Sequence, residues 1–267
     1  MKEFFKDIFG FLQHGTDKKL HRDHLSHYPK SNDSYEKWSF PTYLDNDKCK
    51  WLKALKELYE MPISFPASLS PEAGLLVHGL IRNLRPRVIA EVGVFCSVST
   101  HWIASALKEN EYRPKKDAII HCYDDFSPIK QGPYRKTSMD EGRFEFVKSR
   151  LEKAGLIDYI EFHKGDSSTN IYNSHDHLKE NGGVDFAFID GDHSIDGFLK
   201  DFEAIEPVLN TGGYLLLHDT FPEQCGGHEG PRYLIDNVNK IGRGYYEQIE
   251  LHLSPINFGM ALQRRIG

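Results

Sequence analysis

The sequence predicts an α/β fold: a mostly parallel seven-stranded sheet with helices on both faces and an antiparallel hairpin at its C-terminal end. Three observations predict it. Short runs that are apolar throughout alternate with amphipathic segments, as expected of parallel strands buried on both faces. The last two runs are joined through Ser254-Pro255, a link too short for the crossover a parallel pair needs. With 267 residues, 39% of them hydrophobic and 27% charged, the chain has enough apolar surface for a substantial core.

The elements follow in order. Trp51, Leu52, Leu55, Leu58 and Tyr59 share one helical face. Ser70-Pro71-Glu72 starts a second helix, with Ser as cap and Pro in the first turn. Val88–Val92 is the first strand, and Trp102, Ile103, Ala106 and Leu107 mark the next helix. Ala118–Tyr123 is the second strand, followed by a helix with Phe144, Val147 and Leu151. Tyr159–His163 is the third strand. Val184–Ile189 is the fourth, followed by a helix with Ile195, Phe198, Leu199, Phe202 and Ile205. The turn Thr211-Gly212-Gly213 introduces a fifth strand, Tyr214–Leu217. Tyr245–Leu253 and Phe258–Gln263 complete the sheet. Residues 47–267 therefore read as one domain, preceded by an arm or flap over residues 1–46.

Phe4, Phe5, Ile8, Phe9, Phe11 and Leu12 in that arm recur at helical spacing, which favours packing on the domain or on a sister subunit over a membrane-surface helix. His21, His24 and His27 read as a solvated loop, because no further ligand pattern accompanies them. Lys plus Arg number 33 and Asp plus Glu 39, a net charge of −6 that argues against a broad nucleic-acid-binding face. No run approaches the roughly 20 apolar residues of a membrane span. Cys49, Cys96, Cys122 and Cys225 form no CxxC pair and read as reduced thiols of a cytoplasmic protein.

Open parallel sheets bind ligands beyond the carboxyl ends of their strands. After the first strand stand Glu91, Gly93 and Ser99-Thr100; the glycine permits a tight turn and the next helix points its amides at the site. The further glycines of a dinucleotide fingerprint are absent, which disfavours a nicotinamide enzyme. Asp124 and Asp125 follow the second strand, placed to accept hydrogen bonds from ribose hydroxyls. Asp166 and Ser167 follow the third, suited to an adenine amino group or to capping a helix. After the fourth comes Asp190-Gly191-Asp192-His193-Ser194, where Ser194 or Asp192 can cap the helix while Asp190 and His193 stay available for chemistry. His218-Asp219-Thr220 ends the fifth strand, and parallel pairing brings Asp190 close to Asp219.

Glu91-Val92-Gly93-Val94-Phe95, Ile189-Asp190-Gly191-Asp192-His193-Ser194 and Gly212-Gly213-Tyr214 leading to His218-Asp219-Thr220 together resemble the class I S-adenosylmethionine-dependent methyltransferases. Within that class the pattern is similar to the small-molecule O-methyltransferases, including macrolide-sugar O-methyltransferases and cephalosporin-hydroxylase-like proteins. The resemblance covers about residues 75–263 and implies a Rossmann-like seven-stranded methyltransferase sheet. It implies that Glu91, Gly93, Ser99, Asp124, Asp166, Ser167 and Asp190 serve the cofactor, S-adenosyl-L-methionine. It also implies His193 as general base with Asp190 as its catalytic partner. In metal-dependent relatives Asp190 and Asp219 would hold Mg²⁺. Here His218-Asp219 stands where those relatives carry an acidic pair, and Ser97-Val98 where they often keep another glycine. The expected partner is a small-molecule acceptor, with a homo-oligomer formed through the arm. A non-catalytic binding protein on the same fold is the alternative.

Overall fold

The computed structural model describes residues 37–130, 134, 137–221, 229–252 and 258–267. The proposed arm helix and His21, His24 and His27 lie outside the described residues. From residue 37 onward the chain already belongs to the core: Trp38 is buried, its ring meets Phe65 edge-on at 4.9 Å, and its Nε1 donates to the Ser64 carbonyl at 2.9 Å.

Helices α1 (Lys50–Tyr59) and α2 (Pro71–Leu84) precede β1 (Val88–Val92) and α3 (Val98–Glu109). The chain continues through β2 (Ile119–Asp124), α4 (Arg143–Ala154), β3 (Ile160–Lys164), α5 (Ser167–Asn173) and α6 (His175–Glu180). It ends with β4 (Val184–Ile189), α7 (Ile195–Ile205), β5 (Leu209–His218), α8 (Glu229–Ile241), β6 (Tyr246–Leu251) and β7 (Met260–Arg265).

These strands form one sheet in the order β3-β2-β1-β4-β5-β7-β6, parallel except for β7, which runs antiparallel to both β5 and β6. Strands β1 and β4 are buried along almost their full length, and two apolar cores cover the opposite faces of the sheet. One core holds Trp102, Phe186 and Phe188; the other holds Phe198, Phe202 and Leu217. Alternate side chains of one strand feed the two cores, which is why these strands read as continuous apolar runs.

Helix starts follow local chemistry. The Ser70 hydroxyl caps α2 by accepting from the Ala73 amide at 3.1 Å, and Asp166 caps α5 by accepting from Thr169 N at 2.8 Å. Ser194 caps α7 by accepting from Gly197 N at 3.1 Å, and Asp192 in turn accepts from Ser194 N at 2.9 Å. The fifth strand corrects the sequence reading. Thr211-Gly212-Gly213 is not a turn ahead of the strand but lies inside β5, where the pairing with β4 shifts register between Val184 and Phe186. Gly212 adopts φ +86°, so the irregularity is taken up within the strand.

Candidate active site

The strand order reverses at β1, whose two neighbours are β2 and β4, so the crevice expected of an open α/β sheet opens above these strands. Backbone bonds continue past the strand ends and set the following residues side by side. Gly93 N donates to Tyr123 O at 3.0 Å, Gly165 N to Asp124 O at 3.1 Å, and Asp190 N to Val92 O at 2.9 Å. A cavity of about 560 Å³ lies there, lined among others by Gly93, Asp124, Asp125, Asp166, Ser167, Asp190, His193 and Asp219. This volume is within the range of small-molecule sites.

The first wall is the β1–α3 loop. Gly93 has φ +86°, and a Cβ there would stand 2.2 Å from the Asp190 carbonyl oxygen, so the β1 and β4 ends approach closer than any side chain allows. Phe95 and Ser97 are also left-handed, with φ of 49° and 74°. Ser97 therefore holds a conformation that glycine favours. Asp124 stitches this loop: one carboxylate oxygen accepts from Val94 N at 2.8 Å and Phe95 N at 3.1 Å, and the other from Phe126 N at 2.6 Å. Arg143, the first residue of α4, pairs with the same buried carboxylate and reaches Asp125 at 3.0 Å. Asp125 is the more exposed of the two acids.

Glu91 and Ser99 lie beneath this wall rather than among the lining residues. Glu91 is fully buried, with the Ser99 hydroxyl donating at 2.5 Å, the Thr100 hydroxyl at 2.7 Å and the Cys122 thiol at 3.2 Å. Burial raises its carboxyl to about 7, although the Ser99 and Thr100 hydrogen bonds pull the other way. Ser167 donates to Asp201 at 2.5 Å, on α7.

The second wall brings the residues after β4 and β5 together. His193 Nε2 lies 3.2 Å from Asp190 and 3.2 Å from Asp219, and His218 Nδ1 lies 3.3 Å and 3.1 Å from the same two acids. Two carboxylates and two imidazoles thus alternate around one small ring. Burial disfavours the charge on His193, but Asp219 and Asp190 outweigh it and raise its affinity for a proton. Burial likewise works against the Asp190 carboxylate, and the charge of His218 and the hydrogen bond of His193 overcome it, holding Asp190 below the usual carboxylate range. Asp219 adopts φ 55°, turning its side chain back toward this ring at the end of β5. Donor atoms of Asp190, His193 and Asp219 all lie within 4.8 Å of one another.

Sequence reasoning missed Arg143, Tyr134 and Phe258, which also line the cavity. Arg143 stands at a helix start after Gly142, and nothing in that spacing announces a partner to Asp124. Phe258 comes from the β6–β7 link, distant in sequence from every other wall.

Comparisons with known proteins agree with this architecture. A family model described as a methyltransferase domain matches residues 90–220. Caffeoyl-CoA O-methyltransferase 1 of Nicotiana tabacum is 25% identical over 224 residues, covering 79% of this chain and 84% of that protein. Caffeoyl-CoA O-methyltransferase 2 of Petunia hybrida is also 25% identical over 224 residues, with 79% and 83% covered. Among solved structures, the Bacillus cereus O-methyltransferase in complex with SAH superposes with a TM-score of 0.60 at 16% identity, covering 84% of this chain and 93% of that one. The O-methyltransferase TomG of Streptomyces achromogenes, in complex with SAM, gives 0.55 at 20% identity, with 80% and 90% covered. The strand order, the cavity at its reversal and these relatives together support a class I S-adenosylmethionine-dependent O-methyltransferase.

Proposed function

We propose that the protein methylates a hydroxyl of a small molecule, with His193 as general base. The observation that carries this reading is the position of His193 Nε2, 3.2 Å from each of two carboxylates on the wall of the cavity. S-adenosylmethionine supplies the methyl group as a sulfonium, an activated leaving arrangement that needs no further activation by the protein. The chain's own work is alignment, exclusion of water and proton removal.

Gly93, where the β1 and β4 ends close on each other, borders the cofactor's methionine end, with Glu91 and Ser99 supporting the loop from below. Asp124 acts on the ribose side together with the loop it ties down, and Asp125 stands beside it at the surface. Asp166 and Ser167 border the adenine side; Asp166 combines that role with its helix cap. His193 accepts the proton from the acceptor hydroxyl, and Asp190 and Asp219 hold the resulting imidazolium by charge. In the metal-assisted form of this reading Asp190 and Asp219 would instead hold Mg²⁺ through their carboxylate oxygens, and the ion would supply Lewis-acid polarisation of the acceptor oxygen.

Sugars, phenols and other natural-product hydroxyls are the acceptors to test, with caffeoyl-CoA, for which the relatives are named, among them. The described cysteines, Cys49, Cys96 and Cys122, are free thiols, in keeping with a cytoplasmic setting. Among the described residues no helix is long and apolar enough to cross a membrane. Replacement His193→Ala should lower turnover by about 10²–10⁴-fold, the usual worth of a general base, and leave S-adenosylhomocysteine affinity nearly unchanged. Steady-state kinetics and calorimetry on the same preparation check it, and undiminished turnover would refute the base assignment.

A further inference from the structure

A second cluster of metal-binding side chains stands apart from the ring of Asp190, His193, His218 and Asp219. His121 on β2 pairs in register with Glu161 on β3, and Tyr123 pairs with His163 two residues further along. Side chains two apart share a sheet face, so His121, Glu161 and His163 meet on one side. His121 Nδ1 lies 3.1 Å from His163 Nε2, His163 Nε2 lies 3.6 Å from Glu161 Oε1, and Glu161 Oε1 lies 3.9 Å from His121 Nδ1.

The 3.1 Å contact alone would be explained by a hydrogen bond between two neutral imidazoles. The other two separations are too long for hydrogen bonds, yet the carboxylate oxygen still closes on the same pair of nitrogens. Ligand bonds of 2.0–2.2 Å at tetrahedral angles put donor atoms about 3.3–3.5 Å apart, and the three observed separations straddle that value. We propose that His121, Glu161 and His163 form a Zn²⁺ site on the outer edge of the sheet, distinct from the pocket and independent of how methyl transfer proceeds there.

Chemistry and access agree with this assignment. Two imidazoles and one carboxylate suit zinc far better than magnesium, which prefers oxygen donors. His121 has no exposed side-chain surface, whereas Glu161 is 39% exposed and provides the entrance. A third imidazole, His177 of α6, stands edge-on to His121 with ring centroids 5.8 Å apart, beside the cluster. Burial, with His163 and His177 as neighbours, keeps His121 neutral, the form that binds a metal. Because β3 is hydrogen-bonded to the sheet on one side only, a metal bridging it to β2 would pin an edge strand.

The test uses the full chain stripped of metal by a chelator and titrated with Zn²⁺ by calorimetry and with Co²⁺ by visible absorption. Three variants are compared: Glu161→Gln, which changes a half-exposed side chain and preserves the fold, His163→Ala, and His193→Ala, which removes an imidazole from the pocket instead. With excess Mg²⁺ present to occupy the carboxylates of the pocket, the expected result is one equivalent of metal with the strong visible bands of four-coordinate Co²⁺. Its affinity should fall more than roughly tenfold in Glu161→Gln and His163→Ala and persist in His193→Ala. Unchanged binding in folded Glu161→Gln and His163→Ala would overturn the assignment. So would binding that disappears in His193→Ala alone, or no bound equivalent in the parent.

Discussion

Glu91 is the residue whose burial has the clearest energetic consequence. Its carboxyl ordinarily ionises near 4.5 but holds its proton to about 7 in the folded chain, where it has no exposed surface. Between those values the folded state keeps a proton that the unfolded state has released, so stability from this group is full below pH 4.5 and is lost as pH rises through about 7. The total is on the order of 3 kcal/mol. Glu91→Gln should flatten the pH dependence of unfolding between pH 5 and 8 and leave the variant relatively more stable at the alkaline end. Denaturant titrations of both proteins at the two pH values measure it; identical slopes would mean that Glu91 ionises normally. At this scale the sequence was partly legible. Glu91 was identifiable from its place before the glycine turn, but its position under the pocket wall depends on Ser99, Thr100 and Cys122 closing around it.

The loop from β1 into α3 concentrates the fold's local constraints. Gly93 adopts φ +86° with the Asp190 carbonyl where a side chain would begin. Gly93→Ala should therefore cost more than the roughly 1–2 kcal/mol of a left-handed alanine, because backbone rather than a flexible side chain must yield. It should also weaken S-adenosylhomocysteine binding; thermal unfolding and calorimetry read the two effects, and a variant as stable as the parent would contradict the close approach. Element identity was legible wherever apolar runs were continuous: Val88–Val92 and Val184–Ile189 were both readable to the residue. β5 was not, because two adjacent glycines read locally as a turn, and only pairing with β4 on either side of them, at Leu209 and from Tyr214 onward, joins the two parts into one strand. The Asp124–Arg143 ion pair was illegible for a similar reason, since a long-range partner leaves no mark on spacing.

For the whole molecule, the cavity draws its walls from both sides of the strand reversal, β1 to β3 on one and β4 and β5 on the other. A ligand spanning that seam binds the folded chain and not the unfolded one. S-adenosylhomocysteine at about a hundred times its dissociation constant should then add about 2.7 kcal/mol of stability, a rise of roughly 5–10 °C in Tm for a domain of this size. Differential scanning calorimetry across ligand concentrations tests this, and a Tm insensitive to the ligand would mean that the folded chain does not bind it. The seam also governs how the protein reaches its native state. Gly93, Asp190 and Asp219 are far apart along the chain and meet only when β1, β4 and β5 have paired in parallel, the slowest kind of contact to form. The pocket is therefore among the last features to be completed during folding, and a newly synthesised chain gains its capacity to bind cofactor only when the central sheet closes.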